Sequence, residues 1–254
     1  MNQVISLKEI LSLSILLVVM ISCGSEVEKP ISSPPKERLS VLPLAKDLEI
    51  GEMEKSLLAQ GLVDIQKNAP LILVDLKYST TDNFFGKDVY GTLEKAFLPE
   101  AVAKKLRLAS DSLISKRPSL RLMVFDAVRP HKVQQILWDA LDSLPVNVRK
   151  AYVADPAVGS LHNYGCAIDL SIYDVSKDSL LDMGTKYDYF GYLAYPRKEI
   201  EMLAQGLLNQ EQIDNREVLR SIMIQAGFMP ISSEWWHFNS TTLVRAKQDF
   251  SLIN

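Results

Sequence analysis

The 254-residue chain is poor in several things, and each shortage narrows its class. Two cysteines permit at most one disulfide, which excludes a small domain held together by cross-links. Only three histidines are present, few enough to account for one by one. Neither sign of charge is in large excess: 28 basic against 31 acidic side chains give a formal net charge of −3. That balance excludes a strong general pull toward nucleic acid. The apolar run at residues 10–21 has 12 residues, whereas a membrane-spanning helix needs about 20. No internal repeat, second linker or low-complexity tract interrupts residues 41–254. What remains is ordinary globular composition, 47% hydrophobic and 23% charged, in a chain long enough to bury a substantial core.

The short apolar run has the length of the central region of a secretory signal. It ends in Met20-Ile21-Ser22-Cys23-Gly24, a small residue directly before a cysteine. That ending resembles the lipobox of bacterial lipoproteins, in which the cysteine becomes the lipid-bearing N-terminus. Met20 departs from the leucine such signals prefer, so a plain signal peptide with an incidental cysteine is the competing reading. On the lipoprotein reading residues 1–22 are the leader, Cys23 is the lipidation site, and residues 23–40 are a tether. The tether is polar and carries three prolines, so it cannot bury enough apolar surface to fold.

Residues 41–254 are expected to form one domain. Residues 70–76 (PLILVDL) and 120–125 (LRLMVF) read as strands, and 165–172 (GCAIDLSI) as a buried strand. Pro99 in a first turn, followed by Val102, Leu106, Ala109 and Leu113 at spacings of three and four, predicts an amphipathic helix that Pro118 ends. A second helix is expected over residues 131–144, with Val133, Ile136, Leu137, Ala140 and Leu141 on one face. A third stripe, Val218, Leu219, Ile222, Met223 and Ala226, is closed by Gly227. A short strand at residues 236–239 follows. Helices and strands in mixed order, without βαβ repetition, indicate an α+β fold.

Two histidine motifs carry the chemistry. The first runs from Ser160 and His162 through Gly165 to Asp169; the second is Glu234-Trp235-Trp236-His237. Imidazole and carboxylate suit zinc, and three protein ligands leave a fourth position for water. Such a water is acidified toward a pKa of about 7, and a carboxylate outside the ligand set can take its proton. Spacing alone does not bring the two motifs together, and a single histidine ahead of a strand is more often structural than a ligand.

The combined pattern S-x-H-x-x-G-x-A-x-D followed by E-x-x-H resembles that of the zinc D,D-peptidases. Within that group the chain looks like the D-alanyl-D-alanine dipeptidases of the vancomycin-resistance type. Five blocks match in order: LVDLKYSTTDNFFGKDVYG, FDAVRP, SLHNYGCAIDLSIYD, MGTKYDYF, and NREVLRSIMIQAGF with SSEWWHF. The resemblance implies an antiparallel sheet core flanked by helices around one zinc ion per chain. It implies His162, Asp169 and His237 as ligands, Glu234 as general base and then acid, and Arg129 as the group that stabilises the oxyanion. It further implies Tyr78 and Asp188 at the substrate's amine and Ser160 near its carboxylate. A carboxylate at the amine would disfavour substrates whose amine is acylated and uncharged.

The chain departs from the family in two places. Residues 152–160 (YVADPAVGS) are longer than the family's equivalent, which predicts a reshaped loop facing the substrate. Cys166 stands where a serine or another small residue is common, and is read as a small buried thiol rather than a ligand. His131 is left as a helix-start residue or a support for Arg129. The expected function is hydrolysis of D-Ala-D-Ala to two D-alanines during peptidoglycan turnover or recycling, by an exported enzyme held at a membrane by its lipid. Two other readings are a D,D-carboxypeptidase acting on longer muropeptides and a non-catalytic wall-binding lipoprotein.

Overall fold

A computed structural model describes residues 50–150 and 152–254. The leader, Cys23, the tether and the expected domain start at residue 41 lie outside the described residues. Those residues belong to one compact unit, Leu48–Asn254. Among them no helix is long and apolar enough to cross a membrane.

Helix α1 (Glu52–Ala59) leads into β1 (Val63–Asp64), the short α2 (Ile65–Asn68) and β2 (Leu73–Val74). After a long turn-rich loop come β3 (Phe97–Leu98), α3 (Glu100–Lys116), β4 (Leu120–Asp126), α4 (His131–Asp139) and the single-turn α5 (Val146–Arg149). The remainder is β5 (Ala167–Asp174), β6 (Ser179–Leu180), α6 (Glu199–Ala204), α7 (Gln210–Gln225), β7 (Met229–Pro230), β8 (His237–Asn239) and α8 (Leu243–Asp249). The main sheet runs β2-β4-β5-β8-β7, with β6 also on β5. Its pairs are antiparallel except β2 with β4, which are parallel. This is the α+β architecture expected, with one parallel pair added at the edge.

β5 is the axis of the molecule. Seven of its eight residues are buried, which explains why GCAIDLSI reads as a continuous apolar run instead of an alternating one. α3 forms where the spacing predicted it, burying Val102, Leu106, Ala109 and Leu113. It packs on β4 and against α7. Pro99 caps α3, and Arg117 closes it one residue before Pro118.

The second helix differs from expectation. α4 ends at Asp139, and Pro145, by disfavouring helical backbone at Leu144, keeps residues 140–144 as turns. Its buried face is Val133, Gln134, Leu137 and Trp138, while Ile136 points outward, 45% exposed. The predicted strand at residues 70–76 shrinks to two residues, Leu73 and Val74, in register with Met123 and Val124 of β4.

Candidate active site

Strand register brings the two histidine motifs together. Asp169 on β5 and His237 on β8 are direct cross-strand partners, so their side chains leave the same face of the sheet. Asn239, two residues past His237, shares that face. Its Oδ1 accepts from His237 Nε2 at 2.8 Å, which leaves Nδ1 as the ring nitrogen that faces Asp169.

His162 arrives by a different construction. It lies in a 3₁₀ turn, Leu161–Tyr164, where Ser160 Oγ accepts the His162 N–H. The Ser160 N–H in turn donates to Asn163 Oδ1 at 2.7 Å. Gly165 then bends the chain into β5 at φ +62°, where a Cβ would lie 2.5 Å from Pro99 Cδ and 3.0 Å from Val128. Only glycine meets both demands. The motif's glycine is therefore the hinge that lets a histidine outside the sheet face a carboxylate within it. His162 Nδ1–H donates to the Ala127 carbonyl at 2.7 Å, leaving Nε2 free to bind.

The three candidate ligand atoms converge. His237 Nδ1 is 2.9 Å from Asp169 Oδ1, and His162 Nε2 is 3.5 Å from that oxygen and 3.3 Å from His237 Nδ1. Each imidazole has its other nitrogen committed to a carbonyl or amide oxygen, and the Tyr187 hydroxyl donates to Asp169 Oδ2 at 3.0 Å. Such outer bonds fix the tautomer and aim the ligand. Burial opposes the charge on Asp169, but His162 and His237 hold its carboxyl well below the usual range. Burial likewise opposes the His237 imidazolium, yet the Asp169 and Glu234 carboxylates raise it to about 9 in the metal-free protein. The ligands line a cavity of about 310 Å³. Two nitrogens and one carboxylate oxygen with an open side fit a catalytic zinc ion.

Glu234 stands beside this group without belonging to it. Its Oε2 is 3.7 Å from His237 Nδ1, and burial raises its carboxyl above the usual range. Arg129 also lines the cavity. It is not the surface ion pair that an isolated arginine most often makes. It is buried, with Nε and Nη2 donating to Asp126 Oδ2 at 2.9 and 2.6 Å and Nη1 to Gln134 Oε1 at 3.1 Å. Tyr78 lies under the guanidinium at 5.0 Å. Asp126 sits just past a register irregularity between β4 and β5, the kind of bulge that re-aims a side chain at a site.

At another wall of the same cavity, the Tyr78 hydroxyl donates to Asp188 Oδ2 at 3.1 Å. Among the described residues, no cationic side chain lies within ion-pair distance of Asp188. Burial, then the charge on Asp169, pushes its carboxyl well above the usual range. Ser160 also faces the cavity, so the structure brings every site residue named from the sequence within the described region to one place.

The segment 152–160 forms part of the cavity wall through Tyr152, Val153, Ala154 and Gly159. His131, the first residue of α4, donates from Nε2 to the Pro156 carbonyl at 3.0 Å, and Gln134 Nε2 donates to Ala154 O at 2.7 Å. His131 is thus a helix-start residue that anchors this loop. Cys166 is fully buried beside Tyr164 and Ala246, its thiol pushed up to about 11 by burial. Asp126, Gln134, Tyr187 and Asn239 were not read from the sequence. Period-two spacing from His237 was the available signal for Asn239; the other three carried none beyond lying in or near matched blocks.

Comparison with known proteins identifies the family. The family model described as D-Ala-D-Ala dipeptidase, Peptidase_M15, matches residues 58–252. The D-alanyl-D-alanine dipeptidase of Escherichia coli (strain K12) is 34% identical over 178 residues, 70% of this chain and 83% of that protein. The enzyme of the same name from Enterococcus faecalis (strain V583) is 31% identical over 180 residues, 65% of this chain and 83% of that one. A zinc complex of a vancomycin-resistance D,D-pentapeptidase superposes loosely, with a TM-score of 0.35 and 15% identity over 60% of this chain and 78% of its own. Matched by the family model over residues 58–252, the chain belongs to the M15 peptidase family of D-Ala-D-Ala dipeptidases and is a zinc metallopeptidase.

Proposed function

We propose that the protein hydrolyses free D-Ala-D-Ala to two D-alanines, with one zinc ion per chain, in peptidoglycan turnover or recycling. One observation carries the choice of a free dipeptide: Asp188, a carboxylate with no cationic partner among the described residues, lines the same cavity as the candidate ligand trio and Glu234. Burying a carboxylate without a cation is unfavourable. A substrate ammonium relieves that cost, and an acylated amine does not.

Zinc held by His162, Asp169 and His237 would supply Lewis acidity and lower the pKa of water at the site. The protein's own groups do the rest. Glu234, with its raised carboxyl, accepts the proton of the attacking water and delivers it to the leaving amine. Arg129, held on three sides by Asp126, Gln134 and Tyr78, keeps N–H groups for the negative charge that develops on the scissile carbonyl oxygen. Asp188 and Tyr78 receive the ammonium. The Ser160 hydroxyl, whose oxygen is used by the His162 N–H, has its proton left for the substrate carboxylate.

The location follows from the leader: export, lipidation at Cys23, and a tether that keeps the enzyme at a membrane facing the periplasm or the cell surface. Released wall fragments, rather than cytoplasmic precursors, are then its source of dipeptide. The reaction is tested with zinc-loaded protein and D-alanine release from D-Ala-D-Ala. Glu234→Ala should lower kcat by about 10³-fold or more while zinc content stays the same. Retained turnover in that variant would remove Glu234 as the base. An N-acetylated tripeptide should be a poor substrate, and a preference for it would favour a carboxypeptidase instead.

A further inference from the structure

The segment 183–193 carries two site residues, Tyr187 and Asp188, yet contains no strand or helix before a 3₁₀ turn at Tyr192–Ala194. Asp188 has φ +57°, a left-handed conformation that aspartate tolerates better than most residues but that remains less favourable than the right-handed one. Local preference therefore does not hold Asp188 where it is, and the restraint must come from outside the segment.

The Tyr78–Asp188 and Tyr187–Asp169 hydrogen bonds hold the segment's middle, and Arg216 on α7 contacts both of its ends. Its side chain is among the most buried in the protein, 1% exposed, although it lies in a block, NREVLR, with no part in the chemistry described above. The guanidinium donates from Nε to the Met183 carbonyl at 2.7 Å and from Nη2 to the Leu193 carbonyl at 2.8 Å. These carbonyls are the two ends of the segment. The remaining arm, Nη1, reaches Glu199 Oε1 at 3.4 Å, and Arg220 Nη2 holds Glu199 Oε2 at 2.8 Å. The guanidinium also lies 5.9 Å from the ring of Trp235, whose Nε1 donates to Thr185 Oγ1 at 2.7 Å.

We infer that Arg216 is a positioning residue for recognition of the substrate's amine, clamping both ends of the segment so that Asp188 stays aimed into the cavity. A rigid planar fork can satisfy two carbonyls and a carboxylate together; a lysine ammonium on its flexible stem cannot reproduce that geometry. The inference rests on Asp188 being the ammonium acceptor, and its test separates the two.

Steady-state kinetics on D-Ala-D-Ala are compared for the zinc-loaded wild type, Arg216→Lys, Asp188→Asn and the double variant, with zinc content and melting temperature measured for each. Asp188→Asn should raise KM at least tenfold. Arg216→Lys should raise KM about tenfold with kcat within about twofold and zinc retained, since small displacements of a binding group cost this much or more. In the Asp188→Asn background the same change should add little, because both substitutions act through one contact. If Asp188→Asn leaves KM unchanged, the amine assignment fails. If Asp188→Asn raises KM but Arg216→Lys leaves it unchanged, lowers kcat instead, or acts equally in both backgrounds, the clamp is wrong and Arg216 is only structural. Should Arg216→Lys not fold, Glu199→Gln, which loosens the guanidinium without removing it, must give a smaller rise in KM of the same dependent kind; its absence also overturns the clamp.

Discussion

At the scale of single residues, the site is governed by which nitrogen of each histidine is already spoken for. His162 gives Nδ1–H to a carbonyl and His237 gives Nε2–H to Asn239, so the two rings present opposite nitrogens to one point. That choice has a consequence in pH. Without metal, His237 is protonated up to about 9, and zinc must displace that proton to bind. The sign is therefore set: apparent zinc affinity should rise about tenfold per pH unit from 7 to 9 and then level off. Calorimetry in two buffers of different ionisation enthalpy should show about one proton released per zinc at pH 7. Zinc binding independent of pH over that range would place the proton elsewhere.

At the scale of elements, the decisive piece is the turn that delivers His162 to β5. Gly165 has φ +62° and no room for a methyl group against Pro99. Gly165→Ala should cost roughly 2–5 kcal/mol, combining the backbone and overpacking penalties. Thermal unfolding should show a melting point lower by roughly 5–15 °C for a chain of this size. Zinc content at fixed free metal should fall with it, because His162 moves with the turn. α3 was legible from its spacing because its apolar positions recur at three and four and prolines stand just outside both ends. The buried face of α4 was not. Gln134 belongs to it, since its amide bridges Arg129 to the Ala154 carbonyl, and hydropathy does not mark a glutamine as core.

At the scale of the whole molecule, the family match establishes a zinc peptidase, while its proposed location rests on the first 40 residues. Cys23→Ser should move the protein from the membrane fraction to the soluble fraction and abolish labelling by a fatty-acid probe. Two acyl signals are needed for stable anchoring at roughly 0.8 kcal/mol per buried methylene, so the partition should be nearly complete. Activity of the released protein should be unchanged. An unlabelled wild-type cysteine would make the leader a plain signal peptide.

The sequence by itself determined the types of residue at the site and their order. Imidazole and carboxylate in these motifs suit a metal, and five ordered blocks, by resemblance, point to the family and to that chemistry. Because side-chain donors and acceptors are intrinsic to each residue, this much was readable without coordinates. Only the tertiary structure decided which groups meet and what holds them. The register of β5 against β8 pairs Asp169 with His237, the carbonyl of Ala127 selects the nitrogen of His162, and Arg216 spans a segment that lies 23 to 33 residues earlier in the chain. These depend on backbone atoms and long-range pairing, which carry no residue-specific mark in the sequence. The three histidines that were scarce enough to count ended as two candidate ligands and one loop anchor, a division that follows what lies across from each of them in space.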